Sequence, residues 1–352
     1  MAGVYISYPF CAQKCTYCNF ASGVLPEALR TPYVEALKAE IRLTGWKWTP
    51  ETVYLGGGTP SQMDVSALAD LLRKIPGSPW IEATMEAAPG GITPEKAEAW
   101  RRAGINRVSL GVQSFVQREL ARTGRKHTAE IVAGEIGVLR AAGITNFNID
   151  LIAGLPGQTA ESWGESLAWV ARLGAPHVSV YMLEVDEDSR LGAEVLALGK
   201  RYGAGDIPND DAIAEFYETA VARLAAMGVA RYEISNFARP GMESRHNLKY
   251  WLREPYLGFG ADAHSFDGEY RWSNVESAAE YVKCSAHSER IPADPVGEGF
   301  FLGLRLDRGI ESTGDETIRR FVREGLLEEH GSRVRLTPRG VLLSNEVFEA
   351  FV

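Results

Sequence analysis

Through the first 240 residues, short apolar runs alternate with longer stretches in which apolar residues recur every three or four positions. The runs Val4–Tyr8, Thr52–Leu55, Trp80–Glu86, Asn106–Gly111, Asn146–Leu151 and His177–Leu183 have the length of strands. Between them lie three apolar stripes of helical spacing: Val34, Leu37 and Ile41; Trp163, Leu167, Val170 and Leu173; and Ile213, Phe216, Ala220 and Leu224. Helix ends are marked alike at Ala103-Gly104, Ala142-Gly143, Leu173-Gly174 and Met227-Gly228, where a glycine can turn the chain back towards a sheet. Repeated strand–helix units predict parallel strands joined by right-handed crossovers. Six units make an α/β fold of the incomplete (β/α)6 barrel kind, since eight would close one.

A barrel of this kind carries its site at the C-terminal ends of its strands. After the first strand come Cys11, Cys15 and Cys18, spaced C-x3-C-x2-C, and after the second Gly56-Gly57-Gly58-Thr59-Pro60. Glu86 ends the third, Gln113 follows the fourth, Asp150 lies in the last residues of the fifth and Glu184 follows the sixth. A glycine turn lets backbone groups approach a ligand with no Cβ in the way. Three cysteines in so short a span fit neither an even-numbered disulfide framework in a small secreted chain nor a four-ligand structural zinc site. A three-ligand zinc site is chemically open to them, though three thiolates would be unusual there. An iron–sulfur cluster is the other reading: one held by three thiolates in place of the usual four has one iron open.

Residues 186–209 read as a long loop, and the apolar run from Ala230 to Phe237 as an extension of the sheet or a cover for its open side. A helix is predicted over Asp315–Glu324, then a hairpin turning at Gly331-Ser332, then a final helix after Pro338. That order gives a C-terminal α+β part ending in a winged-helix-like unit, with the expected domains 1–240 and 241–352. From Val296 onward the chain carries eight Arg against ten Asp and Glu, and the whole chain has net charge −9, so nucleic acid is not an expected partner. No apolar run approaches the ~18 residues of a membrane span. The N-terminus lacks a basic region before an apolar one, so the expected location is the cytoplasm.

The C-x3-C-x2-C spacing after an N-terminal strand resembles the radical S-adenosylmethionine (SAM) superfamily. The blocks Val108-Ser109-Leu110-Gly111-Val112-Gln113-Ser114-Phe115 and Asn148-Ile149-Asp150-Leu151-Ile152-Ala153-Gly154-Leu155-Pro156 are similar to those of its oxygen-independent coproporphyrinogen III oxidase branch and the HemW-type relatives. The resemblance implies a [4Fe–4S] cluster on Cys11, Cys15 and Cys18, with the amino and carboxylate groups of SAM on the open iron. It implies SAM contacts at Tyr5, Gly57, Gly58, Thr59, Glu86, Gln113, Arg125 and Asp150. Within the branch, Phe20 stands where the oxidases carry a fourth cysteine, and His246-Asn247-Leu248-Lys249-Tyr250-Trp251 matches the HNxxYW motif of the HemW type. The implied function is that of a haem chaperone, receiving haem and passing it to acceptor haemoproteins. The alternatives are a coproporphyrinogen III oxidase or another radical SAM enzyme. The implied partners include a reductant for the cluster and, through haem acceptors, the membrane periphery. His246 is the expected haem iron ligand, with His264 and His177 as substitutes. Ser7 replaces a histidine usual in the family, and Cys284 reads as a buried small hydrophobe.

Overall fold

The computed structural model describes residues 2–284 and 287–351. Strands β1 (Ala2–Tyr8), β2 (Pro50–Gly57), β3 (Glu82–Ala87), β4 (Arg107–Gln113), β5 (Asn146–Ala153) and β6 (His177–Met182) run parallel in consecutive order. This is the arrangement expected of six strand–helix units, and each strand overlaps the run that predicted it. The run after Gly228 extends the sheet: β7 (Ala230–Arg231) and β8 (Asn236–Ala238) add an antiparallel edge beyond β6. Beyond residue 240, β9 (Tyr256–Phe259) pairs parallel to β1 on the other flank, followed by β10 (His264–Phe266), β11 (Tyr270–Ser273) and β12 (Ile291–Pro292). One sheet of 12 strands results, in the order β12-β11-β10-β9-β1-β2-β3-β4-β5-β6-β8-β7.

The two faces of β1–β6 differ in kind. Val4 and Ile6, Val53 and Leu55, Ala83 and Met85, Val108 and Leu110, Phe147 and Ile149, and Val178 and Val180 are all buried in one core beneath the helices. From helix Arg30–Leu43 that core receives Tyr33, Val34, Leu37 and Ile41, and from helix Ala160–Leu173 it receives Trp163, Leu167 and Val170. Alternate residues point the other way. They are Tyr5, Tyr54, Thr84 and Glu86, Arg107 and Ser109, Asn148 and Asp150, and His177 and Ser179: a polar set lining the inside of the open barrel. Gly174, at φ 59, ends helix Ala160–Leu173 in the left-handed conformation and sends the chain into β6.

The C-terminal unit contains helix Glu316–Arg323, capped by Asp315, and the hairpin β14 (Leu327–His330) and β15 (Arg333–Leu336). The short strand β13 (Ile310–Glu311) joins β15. The final helix comes as two pieces, Pro338–Leu342 and Ser344–Phe348, because Leu343 between them leaves helical geometry at φ −111, ψ 29.

Two further expectations are corrected. Residues 186–209 are not a plain loop: they hold helix Arg190–Leu196, capped by Ser189, and a 3-10 segment Arg201–Asp206. Cys284 is exposed, not buried, because it follows the last turn of helix Ala278–Lys283, whose buried face is carried by Ala278 and Tyr281.

Candidate functional site

The loop after β1 is pinched at its base. Phe10 pairs with Gly23, the Cys11 amide donates to Gly23 O at 2.8 Å, and the Gly23 amide donates to Pro9 O at 2.9 Å. Cys11, Cys15 and Cys18 are thus held in one short lobe, all three free and part-exposed. The lobe rests on the glycine turn at the end of β2: the Gly58 amide donates to Tyr8 O and the Thr59 amide to Phe10 O, each at 2.9 Å. A Cβ on Gly58 would lie 2.8 Å from Phe10 O and 3.0 Å from Cys11 Sγ, so only glycine fits beneath the first cysteine. Burial pushes the Cys11 thiol up; hydrogen bonds with Ser22 and Thr59 oppose this, while Cys18 and Cys15 add to it. A cationic metal centre would favour the thiolate form of Cys11 against this burial. Among the described residues no three His, Cys, Asp or Glu side chains converge tightly enough to hold a single metal ion. A cuboidal cluster takes each thiolate on a different iron, so its donors need not meet at a point. Three thiols in one lobe over a glycine seat fit such a cluster.

Below the lobe lies the polar lumen. Tyr54 donates to Glu86 Oε1 at 2.9 Å, and burial, with the Asp150 charge adding to it, pushes the Glu86 carboxyl up to about 7. Asp150 accepts from Asn148 Nδ2 at 2.6 Å and from Ser109 Oγ at 3.3 Å. Burial raises its carboxyl too, against hydrogen bonds from Ser179 and Asn148 and the charge of Arg107. The Tyr5 and Tyr54 rings stack at 6.1 Å along the wall.

At the end of β4 the register against β5 shifts between Gly111 and Gln113, and Gln113 adopts φ 72. A bulge of this sort re-aims a side chain, and left-handed backbone at a non-glycine marks strain held by its surroundings. Here it brings the Gln113 amide over Gly111, whose absent Cβ would lie 3.1 Å from Nε2. Arg125 caps the same spot, donating to Gly111 O and hydrogen-bonding Tyr17 and Cys15, so one guanidinium bridges lumen and cysteine lobe.

Tyr5, Gly57, Gly58, Thr59, Glu86, Gln113, Arg125 and Asp150 are therefore gathered around one mouth. Reading loops after strands missed Tyr54, Ser109, Asn148, Ser179 and Arg107. The signal for them was the two-residue alternation inside the strands, whose polar members face the lumen.

His246 is elsewhere. Helix Arg245–Trp251 closes the opposite end of the barrel, with the Arg245 and His246 amides each donating to the Glu82 carboxylate at 3.0 Å. The His246 ring is fully buried, with Nδ1 hydrogen-bonded to Thr52 Oγ1 at 2.9 Å and Nε2 to Tyr250 OH at 2.8 Å. Burial above all, then the charges of Lys249 and Arg107, pushes it down to about 3. In this arrangement both ring nitrogens of His246 are engaged by neighbouring hydroxyls. His177 is engaged likewise, by Asn148 Oδ1 at 2.7 Å and Tyr232 OH at 2.9 Å. His264, on β10, is exposed.

Where the motif helix ends, a pocket of about 230 Å³ opens between it, helix Gly297–Leu304 and β13, lined by Trp251, Arg253, Gly303, Arg308 and Arg333 among others. It is below the ~300–1,000 Å³ of drug-sized sites. Among the described residues no helix is long and apolar enough to cross a membrane.

Comparison with known proteins puts names beside this geometry. The profile described as the Radical SAM superfamily matches residues 5–170. "Heme chaperone HemW" of Bacillus subtilis is 34% identical over 100% of this chain and 99% of its own length. "Heme chaperone HemW" of Mycobacterium tuberculosis is 37% identical over 98% of this chain and 93% of its own. Among solved structures, coproporphyrinogen III oxidase (HemN) from Escherichia coli, a radical SAM enzyme, is similar in fold. Its TM-score is 0.84 at 21% identity, over 99% of this chain and 89% of that one.

Proposed function

The chain belongs to the radical SAM superfamily and, within it, to the HemW-type family; on that footing we propose that it is a haem chaperone, binding haem and delivering it to acceptor haemoproteins. What carries the reading is a three-cysteine lobe seated on Gly58 at the mouth of a polar lumen, in a chain alike over its whole length to proteins named heme chaperones. Residues 1–240 would form the barrel part and 241–352 the part that covers its flank and floor.

In this reading Cys11, Cys15 and Cys18 hold a [4Fe–4S] cluster, whose fourth iron supplies a coordination site for the amino and carboxylate groups of SAM. The chain's own groups do the rest. Arg125 pairs with the carboxylate of SAM. Gly57, Gly58 and Thr59 present backbone to the ligand. Gln113, turned by its bulge, donates or accepts beside it. Asp150 accepts from ribose hydroxyls, and Glu86 and Tyr5 line the approach. An exposed Phe20, 68% accessible, in place of a fourth cysteine supports the chaperone reading over the oxidase one.

Haem would bind the C-terminal part. The pocket beside Trp251 is small for a whole porphyrin, but Arg308 at its rim suits a propionate. With His246 and His177 engaged, His264 is the histidine of the three with an exposed position. The test is a haem titration read at the Soret band, run beside an anaerobic assay for coproporphyrinogen decarboxylation with SAM and a reductant. Haem binding without turnover supports the proposal, and turnover to the decarboxylated porphyrinogen overturns it. Loss of the Soret shift in His264→Ala, with wild-type behaviour in His177→Ala, would assign the iron ligand.

A further inference from the structure

The left-handed backbone at Gln113 has to be held in place, and the residues after it show by what. Ser114 is fully buried and its hydroxyl is used twice: it accepts from the Val116 amide at 2.9 Å and donates to Glu119 Oε2 at 2.6 Å. Glu119 lies in helix Gln117–Thr123 and is itself fully buried. Its Oε2 also accepts from Gln158 Nε2, in the loop beyond β5, at 3.3 Å. Gln158 in turn donates to Ile152 O at 3.2 Å and takes the Gly154 amide on its Oε1 at 2.6 Å. One carboxyl oxygen thus ties the loop after Gln113 to the end of β5, where Ile152 lies two residues beyond Asp150. The strand ladder does not reach this far: its register slips between Gly111 and Gln113, and its last pair is Gln113 with Leu151. Packing alone does not ask for a carboxyl here. Among the described residues Glu119 Oε1 has no hydrogen-bond partner, and burying such an oxygen costs free energy that an apolar side chain of similar size would avoid. What the carboxyl gives in return is an acceptor that both loops reach.

We infer that Glu119 is a positioning residue: through Ser114 and Gln158 it holds Gln113 and the Asp150 end of β5 in one fixed relation, as two sides of the ligand mouth. This rests on reading the mouth as the SAM site. Gln113 and Asp150 are the groups that would touch the ligand, and Glu119 acts through them. A buried hydrogen-bonded network works as a unit, so cutting it at its shared acceptor releases both ends together. The Phe115 amide is anchored separately, to Ser166 Oγ at 3.2 Å in helix Ala160–Leu173, so the β4 loop keeps its place against the helices when Glu119 is removed and loses its tie to β5.

Two measurements on the anaerobically reconstituted protein test this, with three variants. Glu119→Ala removes the shared acceptor, Glu119→Gln keeps an acceptor oxygen, and Ser114→Ala frees the β4 loop while leaving Gln158 on Glu119. The first measurement is hydrogen exchange without SAM, read at the Val116 and Gly154 amides. Glu119→Ala should speed both by ~10-fold or more. The Gly90 and Ile92 amides, which donate to Glu135 at 3.0 and 2.7 Å in the loop beyond β3, should keep their wild-type rates, and Glu119→Gln should exchange like wild type throughout. Faster exchange at Val116 alone, or an equal rise at Gly90 and Ile92, overturns the inference. The second is SAM affinity by calorimetry. Glu119→Ala and Ser114→Ala should bind ~10-fold more weakly, and Glu119→Gln like wild type. A merely structural Glu119 would lower the melting temperature and leave the affinity of the folded protein unmoved, and that result overturns the inference, as does a Glu119→Gln protein that binds as weakly as Glu119→Ala. Ser114→Ala keeps the affinity test decisive should Glu119→Ala fail to fold. A wild type that bound no SAM would bring down the reading of the mouth; a wild type that binds, with an affinity the variants do not change, would bring down the positioning role alone.

Discussion

Replacing Gly58 with alanine tests the seat of the cysteine lobe directly. The new methyl would stand 2.8 Å from both Phe10 O and Pro9 C, and 3.0 Å from Cys11 Sγ. The first two are backbone atoms with no freedom to yield. Phe10 is fully buried, its ring 5.4 Å from that of Tyr33, and its carbonyl accepts from Thr59 while Pro9 O accepts from Gly23. Sγ could rotate away, but only by abandoning the position from which Cys11 would reach a cluster. Overpacking a tight site costs ~1–3 kcal/mol. A kcal/mol moves Tm by roughly 2–4 °C in chains of about 150–250 residues, so Gly58→Ala should lower Tm by a few degrees while leaving the fold intact.

Cluster uptake should suffer more than stability, because the strain falls on one of three thiolates. The assay is iron and sulfide content after anaerobic reconstitution, with visible absorbance, beside circular dichroism melting. Gly91→Ala is the control: its Cβ would meet nothing within 4 Å, so it should stay within about 0.5 kcal/mol of wild type and load fully. A Gly58→Ala protein with wild-type iron content and Tm would refute the reasoning.

Cys15→Ala should lose the brown chromophore outright, read by the same iron assay. Asp150→Ala should weaken SAM binding by at least ~10-fold, measured by calorimetry. His246→Ala should lower stability by ~1–3 kcal/mol in denaturant melts, since it strands the buried partners Thr52 and Tyr250, yet leave the Soret titration unchanged. Glu86 sets a pH dependence: its folded pKa near 7 lies above its unfolded value, so the folded state holds the extra proton between about pH 4.5 and about pH 7. Stability should therefore fall as pH rises through that window, by up to roughly 3 kcal/mol, and Glu86→Gln should abolish the decline.

Much of this architecture was legible because one face of each barrel strand meets helices. Val108, Leu110 and Val112 recur at every second residue and are all buried, so the period of β4 stood out against the 3.6-residue stripe that follows in helix Ala129–Ala141. The mouth residues followed from topology once the strands were placed, and Glu86 and Asp150 did come together there. The lumen wall did not follow in the same way. Ser109, Asn148 and Ser179 look in sequence like the solvent face of an ordinary strand, and only closure of the sheet around them makes them an interior. Helix Arg190–Leu196 was illegible for another reason. It is two turns long and contains Gly192, and its Leu191 amide is tied to Thr16 O in the cysteine lobe at 2.8 Å, a contact 175 residues distant that no local pattern encodes.

The HNxxYW segment shows where a motif's spacing stops informing. Its periodicity put His246 and Tyr250 on one helical face, and their hydrogen bond bears that out. Nothing in the six residues says at which end of the barrel the helix lands. The structure puts it at the floor: Glu82 takes the helix amides, Thr52 takes the imidazole, and Tyr54 stacks on that ring at 5.3 Å while donating to Glu86. One tyrosine thus touches both the sealed floor and the acid that titrates near 7. The two ends of the lumen differ in what burial has done to them. At the mouth, two acids with raised proton affinity stay within reach of a ligand; at the floor, two histidines are driven neutral and tied at both nitrogens. On the chaperone reading proposed above, what the motif offers a ligand begins at Trp251, where the helix leaves the floor and a pocket opens.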